Sequence, residues 1–274
     1  SDLVTIKIKV LLVKRTAKKL FIMTEQNIQA PKKYKILLIG DKGTDIYTYG
    51  NIDRISPEAP IPVFNPVRQV TKPGMADNVR VNLEALGCEV TFLFGDTSIK
   101  ERLIDERSKQ QIVRIDKDVK SPPLLVNKSL LQGYDAIVIS DYNKGAVTYE
   151  LVNQAINTKV PVFVDTKKTD LELMQGAWVK INELEYSKIK SECTGLIITR
   201  GANGAEAKWH EYKAVAPKVE VVDVTGAGDT FMSALAYMYL RTNNIKIAIE
   251  FANRAAAVTV QHIGCYPPRL EEIK

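Results

Sequence analysis

The chain has 274 residues, 45% of them hydrophobic and 26% charged, with a formal net charge of +6. One sizeable α/β core fits that length, whereas two full domains would both be undersized. The cationic excess gathers in residues 1–22, where Lys7, Lys9, Lys14, Arg15, Lys18 and Lys19 face only Asp2, so the near-neutral remainder makes no case for nucleic-acid binding.

Residues 1–30 read as a basic N-terminal extension and linker. The alternating Ile6, Ile8 and Val10 suit an added strand; the lysines suit an anionic surface, and a start at Met23 is a third reading. Lysines interrupt the apolar segment, so no integral membrane association is expected. From residue 31 to 274 a single domain is expected. KILLIG at 35–40 reads as a buried strand that delivers Asp41 and Asp45 into a loop. The prolines of 52–66 mark an extended, irregular segment. Ala76, Val79, Leu83 and Leu86 recur at helical spacing, with Gly87 as the stop. VTFLFG (90–95), AIVIS (136–140), PVFVD (161–165) and LIITRG (196–201) are further strands, while KQQIVRID (109–116) is a polar, strand-like stretch. Short β-branched strands alternating with helical patterns predict a largely parallel sheet covered on both faces. The irregular segments would form a small sheet over the strand ends, and its exposed edges could double as a dimer surface.

Cys88, Cys193 and Cys265 are odd in number and far apart, which suits reduced thiols in a cytoplasmic setting. His210 and His262 form no metal-ligand cluster and support no histidine-dependent triad.

The strongest local signal is DVTGAGD at 223–229, running into TFMSALAYMYL. Gly226, Ala227 and Gly228 can turn sharply into a helix whose first N–H groups meet a phosphoryl group. Asp229 can then take a proton from a hydroxyl as its oxygen attacks phosphorus; the plainer reading is that Asp229 only caps the helix. No Gly-x-x-x-x-Gly-Lys-Ser/Thr loop is present, so a metal together with helix N–H groups must replace the usual lysine. Nor does GDKGTD match the dinucleotide turn.

Together with DVTGAGD, the segments GDKGTDIYTYG (40–50), RISPEAPIPVF (54–64), PGMADNV (73–79), QQIVRID (110–116), SDYNKG (140–145), NELE (182–185) and FANRAAAVTV (251–260) resemble the ribokinase-like carbohydrate kinases. Within them, the chain is most similar to the kinase domain of the heptose-7-phosphate kinase branch. The resemblance implies a three-layer α/β sandwich with a mostly parallel central sheet and a small β-lid at about 46–66 and 98–116. It implies ATP and Mg2+, and transfer of the γ-phosphate to the anomeric oxygen of D-glycero-β-D-manno-heptose 7-phosphate, a step toward nucleotide-activated heptose for lipopolysaccharide. A homodimer through the lid is expected from its exposed sheet edges.

Residue by residue, Asp229 falls on the family's base, and Gly226, Ala227 and Gly228 on its anion hole. Asp45, Gly74 and Asn78 fall on sugar-binding positions. Asn182 and Glu185 match the Asn-x-x-Glu element that organises magnesium and its waters. Thr199, Arg200 and Gly201 fall on the nucleotide segment, and Asn253 lies by the adenine pocket. Lys144 and Lys167 follow strand ends and could offset phosphate charge, or could simply be solvated. Arg102, Arg54 and Arg114 could hold the distal phosphate, since guanidinium matches phosphate geometry; Arg102 ranks first from its place in the lid, where Gln111 and Asp116 could serve only to hold the sheet together.

The sequence departs from that pattern where PGMADN stands for Pro-Gly-Gly-Ala-Ala-Asn, so that Met75 replaces glycine and Asp77 alanine. A carboxylate there repels a sugar phosphate unless it meets a cation. The stretch after FLFG and that between Asn182 and Thr199 are both short for the family. Two alternatives follow: a kinase for another sugar or sugar phosphate, or a catalytically weak carbohydrate-binding scaffold on a degenerate kinase fold.

Overall fold

A computed structural model describes residues 32–274, and the readings of the basic extension at 1–30 lie outside the described residues. Ile36, Leu37, Leu38 and Ile39 of β1 (Lys35–Gly40) are all fully buried, as a strand covered on both faces must be. β1 pairs in parallel with β4 (Glu89–Phe94) on one side and β7 (Ala136–Asp141) on the other. Beyond β7 the parallel series continues through β8 (Val162–Thr166), β9 (Trp178–Asn182) and β10 (Leu196–Thr199). β11 (Ala205–Ala207) and β12 (Tyr212–Ala214) close the eight-stranded sheet as antiparallel edge strands.

Alternation along the strands divides the core between two faces. Ile36, Leu38, Val138 and Phe163 pack on one face with Leu83, Leu235 and Ile249. The helices on that side are α1 (Ala76–Ala85), α4 (Ala227–Thr242) and α5 (Ile245–Thr259). Leu37, Ile39, Ile139, Val164 and Ile181 pack on the other face. That layer is thin, holding α2 (Tyr149–Ile156), the short α3 (Glu183–Tyr186) and turns of 3-10 helix. Its thinness coincides with the two places where the sequence is short: only residues 95–97 separate β4 from the next strand, and α3 has 4 residues.

A second sheet has the order β3-β2-β5-β6 and is built from β2 (Lys42–Ile55), β3 (Pro62–Met75), β5 (Ser98–Asp105) and β6 (Gln111–Lys117). Here one expectation fails. Asp45 does not lie in a loop: the chain passes through Asp41 directly into the 14-residue β2. Gly43, Asp45 and Gly50 look like loop punctuation, but extended pairing on both sides of β2 outweighs their weak strand preference. The register sets Asp45 between Lys72 of β3 and Lys100 of β5. The segment expected to be irregular at 52–66 is the β2–β3 hairpin. Pro66 and Pro73 fall on β3, an edge strand, where a missing N–H donor costs least.

Candidate active site

The parallel strands of the main sheet end together in polar residues: Asp41 after β1, Asp141 on β7, Asp165 on β8 and Asn182 on β9. In open α/β sheets this carboxyl-terminal edge is where ligands bind. α4 begins over the edge. Its N-cap Gly226 has φ 80 and no side chain caps the helix. A Cβ at Gly226 would stand 2.9 Å from Asn78 Nδ2 and 3.1 Å from Cys265 Sγ, so the turn needs glycine for conformation and for room. Of the expected trio, Ala227 spends its N–H on the Val224 carbonyl at 3.2 Å. The N–H groups of Gly228 and Asp229, in the helix's open first turn, carry the anion-binding capacity that remains.

Asp229 does not cap α4. Its Oδ2 accepts from Asn78 Nδ2 at 2.7 Å, and its Oδ1 from the Tyr142 hydroxyl at 3.2 Å. Burial pushes its pKa up to about 6; Asn78 opposes the rise, Asp165 adds to it, and Lys180 and Tyr142 oppose it. A carboxylate poised near neutrality suits a general base. Asn78 is itself held by Asn82, whose Nδ2 donates to the Asn78 carbonyl at 2.8 Å, and Asn82 Oδ1 accepts from Thr230 Oγ1 at 2.8 Å. This polar chain ties α1 to α4 behind the carboxylate.

Next to Asp229 opens a cavity of about 240 Å³ whose wall includes Gly228, Lys167, Lys180, Asn182 and Glu185. Lys180 escaped the sequence reading. It sits on β9 between the buried Val179 and Ile181, and its ammonium pairs with Asp165 at 2.7 Å. Burial alone would lower its pKa, but Asp165, with help from Asp229, holds it above the usual lysine value. Its Nζ lies 3.0 Å from where a Cβ on Gly228 would stand, so a fixed positive charge underlies the open turn of α4. The only sequence signal was a charged residue inside a strand that otherwise reads as core. Asn182 and Glu185 form a capping box on α3: Asn182 Oδ1 accepts from the Glu185 N–H at 2.9 Å, and Glu185 Oε2 from the Asn182 N–H at 2.8 Å. The Asn-x-x-Glu spacing thus has a local structural cause, while both residues still border the cavity.

On the lid side, Asp45 and Arg102 form a largely buried ion pair at 2.7 Å. Gly74 backs onto that pair, for a Cβ there would stand 2.5 Å from Asp45 Oδ2. Arg102 is therefore already committed to a carboxylate. Arg114 pairs with Asp116 at 2.8 Å, Lys144 with Asp118 at 2.5 Å, and Arg54 is exposed. Lys72 and Lys100, on the strands flanking Asp45, make no close ion pair among the described residues, although Lys100 acts at longer range on Asp118; their ammonium groups lie 5.6 Å from the Tyr47 ring and 5.9 Å from the Tyr142 ring. Asp77 does meet a cation: Arg80 Nε donates to it at 2.6 Å. Met75 adopts φ 54, ψ −132, a conformation that belongs to glycine.

A second, mostly apolar cavity of about 340 Å³ lies on the other side of Gly228, lined by Thr199, Gly201, Phe231, Asn253 and Val260 among others. Asn253 Nδ2 donates to the Ala214 carbonyl at 3.1 Å. Arg200 borders neither cavity; its guanidinium bridges Glu183 at 2.5 Å and Glu206 at 3.1 Å. Gly228 lines both cavities, so a ligand with an apolar head and an anionic tail could run past the start of α4.

Residues 97–273 match the model of the pfkB family carbohydrate kinases. The bifunctional protein HldE of a Nitratiruptor species is 35% identical over a match that covers 88% of this chain and 64% of that protein. HldE of Campylobacter curvus is 31% identical, with 89% and 65% covered. The chain thus spans about 64% of the length of such relatives. The Nitratiruptor match runs over 300 positions, more than the 274 residues of this chain, so that relative carries segments missing here. Among solved structures, the ribokinase of Thermotoga maritima superimposes with a TM-score of 0.66 at 17% identity, covering 88% of this chain and 98% of that one. Arabidopsis thaliana ribokinase, complexed with ribose and ATP, gives 0.67 at 15% identity with the same coverage. At those identities the likeness shows the ribokinase-like fold.

Proposed function

The chain belongs to the pfkB family of carbohydrate kinases, and on that footing we propose that it transfers the γ-phosphate of ATP to the anomeric hydroxyl of D-glycero-β-D-manno-heptose 7-phosphate. The observation that carries the proposal is the placement of Asp229: a buried carboxylate with a pKa near neutrality, at the open first turn of a helix, between a polar cavity and the lid.

In this reading ATP lays its adenine in the apolar cavity beside Asn253, Thr199 and Gly201, and its phosphates pass Gly228 toward Lys167 and Lys180. Asp229 accepts the proton of the acceptor hydroxyl as that oxygen attacks the γ-phosphorus; the bond to the β–γ bridging oxygen breaks and ADP leaves. The N–H groups of Gly228 and Asp229 and the ammonium of Lys180 meet the charge that spreads over the transferring group. Among the described residues no three His, Cys, Asp or Glu side chains cluster to hold a metal directly. Mg2+ keeps most of its waters and takes one or two carboxylates; Glu185, through water, and Asp165, both at the polar cavity, would hold it. When bound, the ion offsets phosphate charge.

Asp45, Gly74 and Asn78 frame the acceptor. Arg102 acts by fixing Asp45, and Lys72 and Lys100 are the cations left to meet a phosphate at the far end of the sugar. A cytoplasmic setting goes with the use of ATP; among the described residues no helix is long and apolar enough to cross a membrane. A homodimer through the lid belongs to the same reading, with Val113 and Ile115 exposed on β6. A kinase for a different sugar phosphate is the second reading, favoured by Met75 standing where the branch has glycine. Asp229→Asn tests the chemistry: phosphoryl transfer falls by at least about 100-fold while nucleotide affinity stays, and a variant with near-normal turnover removes Asp229 from the mechanism.

A further inference from the structure

Each oxygen of the Asp229 carboxylate holds one protein donor, and the two donors come from different parts of the fold. Asn78 Nδ2, on α1, serves Oδ2 at 2.7 Å; the Tyr142 hydroxyl, just after β7, serves Oδ1 at 3.2 Å. A carboxylate oxygen has two acceptor directions, so each oxygen keeps one free, and a donor on each blocks rotation of the group. Tyr142 is well placed to impose that orientation because it is pinned twice. Its own N–H donates to the buried Asp41 Oδ2 at 2.8 Å. Its ring carries Lys167 Nζ at 4.6 Å and Lys100 Nζ at 5.9 Å from the centroid, contacts of cation–π type. Tyr142 is half-buried, and that burial, reinforced by Asp229, holds the phenol well above its ordinary pKa. It can therefore only donate to the carboxylate.

We propose that Tyr142 is a positioning residue for phosphoryl transfer: its hydroxyl turns the Asp229 carboxylate toward the acceptor and favours the ionised form of that group. The inference rests on the reading of Asp229 as the base. It answers a difficulty in the site, because Asp165 lies close enough to disfavour a second carboxylate and burial disfavours any charge. The other charged or titratable groups around the pair are Lys180 on β9, Lys167 after β8, Lys100 on the lid and Cys265 after α5. Lys180 is occupied by Asp165 at 2.7 Å, and Asn78 reaches one oxygen only. Without Tyr142, Oδ1 has no hydrogen-bond donor among the described residues.

The test uses the full chain. Tyr142→Phe keeps the ring and its cations and removes only the O–H. The carboxyl titration of Asp229 is followed by 13C NMR and assigned by its absence in Asp229→Asn. Tyr142→Phe moves the midpoint upward by about one pH unit, because a hydrogen bond that favoured the ionised form is gone. Fluorotyrosine at position 142, a stronger donor, moves it downward. With Mg2+-ATP and D-glycero-β-D-manno-heptose 7-phosphate, the acid limb of kcat in Tyr142→Phe shifts the same way, so that turnover falls roughly fivefold near pH 6 and recovers toward pH 8.5, with little change in either KM. A folded Tyr142→Phe protein with an unshifted midpoint, beside an inactive Asp229→Asn, overturns the Tyr142 inference alone. Full turnover in Asp229→Asn overturns the base reading and the positioning role with it. Should Tyr142→Phe not fold, the fluorotyrosine protein decides, and a midpoint that stays in place or rises overturns the role.

Discussion

Asp229 is subject to opposed demands, since the burial that raises its pKa to about 6 also makes its charge costly to the fold. Its folded pKa lies above the ordinary value of 3.8, so the native state binds the proton more tightly than the unfolded chain does. Its contribution to stability is greatest below about pH 4 and is lost as pH rises through about 6, a span worth roughly 3 kcal/mol. Asp229→Asn should therefore gain up to about 3 kcal/mol over the parent at pH 7 in urea unfolding, and almost nothing at pH 4. An equal gain at both pH values would show that the charge of Asp229 is not the source. Met75 poses the reverse question. Relief of its positive φ is worth about 1–3 kcal/mol, but loss of a buried methionine side chain costs about 2–5 kcal/mol. Met75→Gly is accordingly expected to lower stability by about 1–2 kcal/mol, read from the urea midpoint; a gain would mean that strain dominates. Sequence spacing located Asp229 because the glycines and the helical run adjoin it. Lys180 and Tyr142 were not legible, since a lysine inside a strand and a tyrosine after one acquire meaning only from what distant segments bring beside them.

Among the elements, α3 shows how one short motif can carry two duties. The Asn182–Glu185 spacing is satisfied by a capping box, which any helix start could use, yet it also places a carboxylate at the polar cavity. Glu185→Gln separates the two duties, because glutamine can still accept from the Asn182 N–H but carries no charge. The helix should persist by hydrogen exchange while the Mg2+ concentration for half-maximal rate rises by about tenfold; an unchanged Mg2+ requirement would leave capping as the only role. The lid is the element the sequence conveyed least. β2 was hidden by its glycines and acids, and the pairing of Asp45 with Arg102 depends on a register between segments 57 residues apart. Arg102→Ala leaves a largely buried carboxylate without its partner, a change of about 2–4 kcal/mol. Faster amide exchange in β2 and β5 with unaltered nucleotide affinity is the expected outcome, and protection equal to the parent would deny the pair its role. The main sheet was plainer, because buried apolar runs such as Ile36–Ile39 and Ala136–Ile139 have few other places to go.

For the molecule as a whole, the central sheet supplies a row of polar strand ends and α4 an open helix start, while the lid supplies a charged roof. The departures from the resembled pattern at Met75 and Asp77 fall beside Gly74 and Asn78, the residues proposed to frame the acceptor. Asp77 is neutralised by Arg80 at 2.6 Å, so it presents no free charge to a sugar phosphate, and Lys72 and Lys100 make no close ion pair among the described residues. These charges argue for an anionic acceptor, but the shape of the sugar pocket depends on lid segments whose juxtaposition no local sequence pattern encodes. The direct measurement is a panel of free and phosphorylated sugars assayed for ADP release with Mg2+-ATP, with each product examined by 31P NMR. The account predicts the highest kcat/KM for D-glycero-β-D-manno-heptose 7-phosphate and a new phosphate at its anomeric oxygen. Faster transfer to an unphosphorylated sugar, or a phosphate placed at any other oxygen of the heptose, would contradict it.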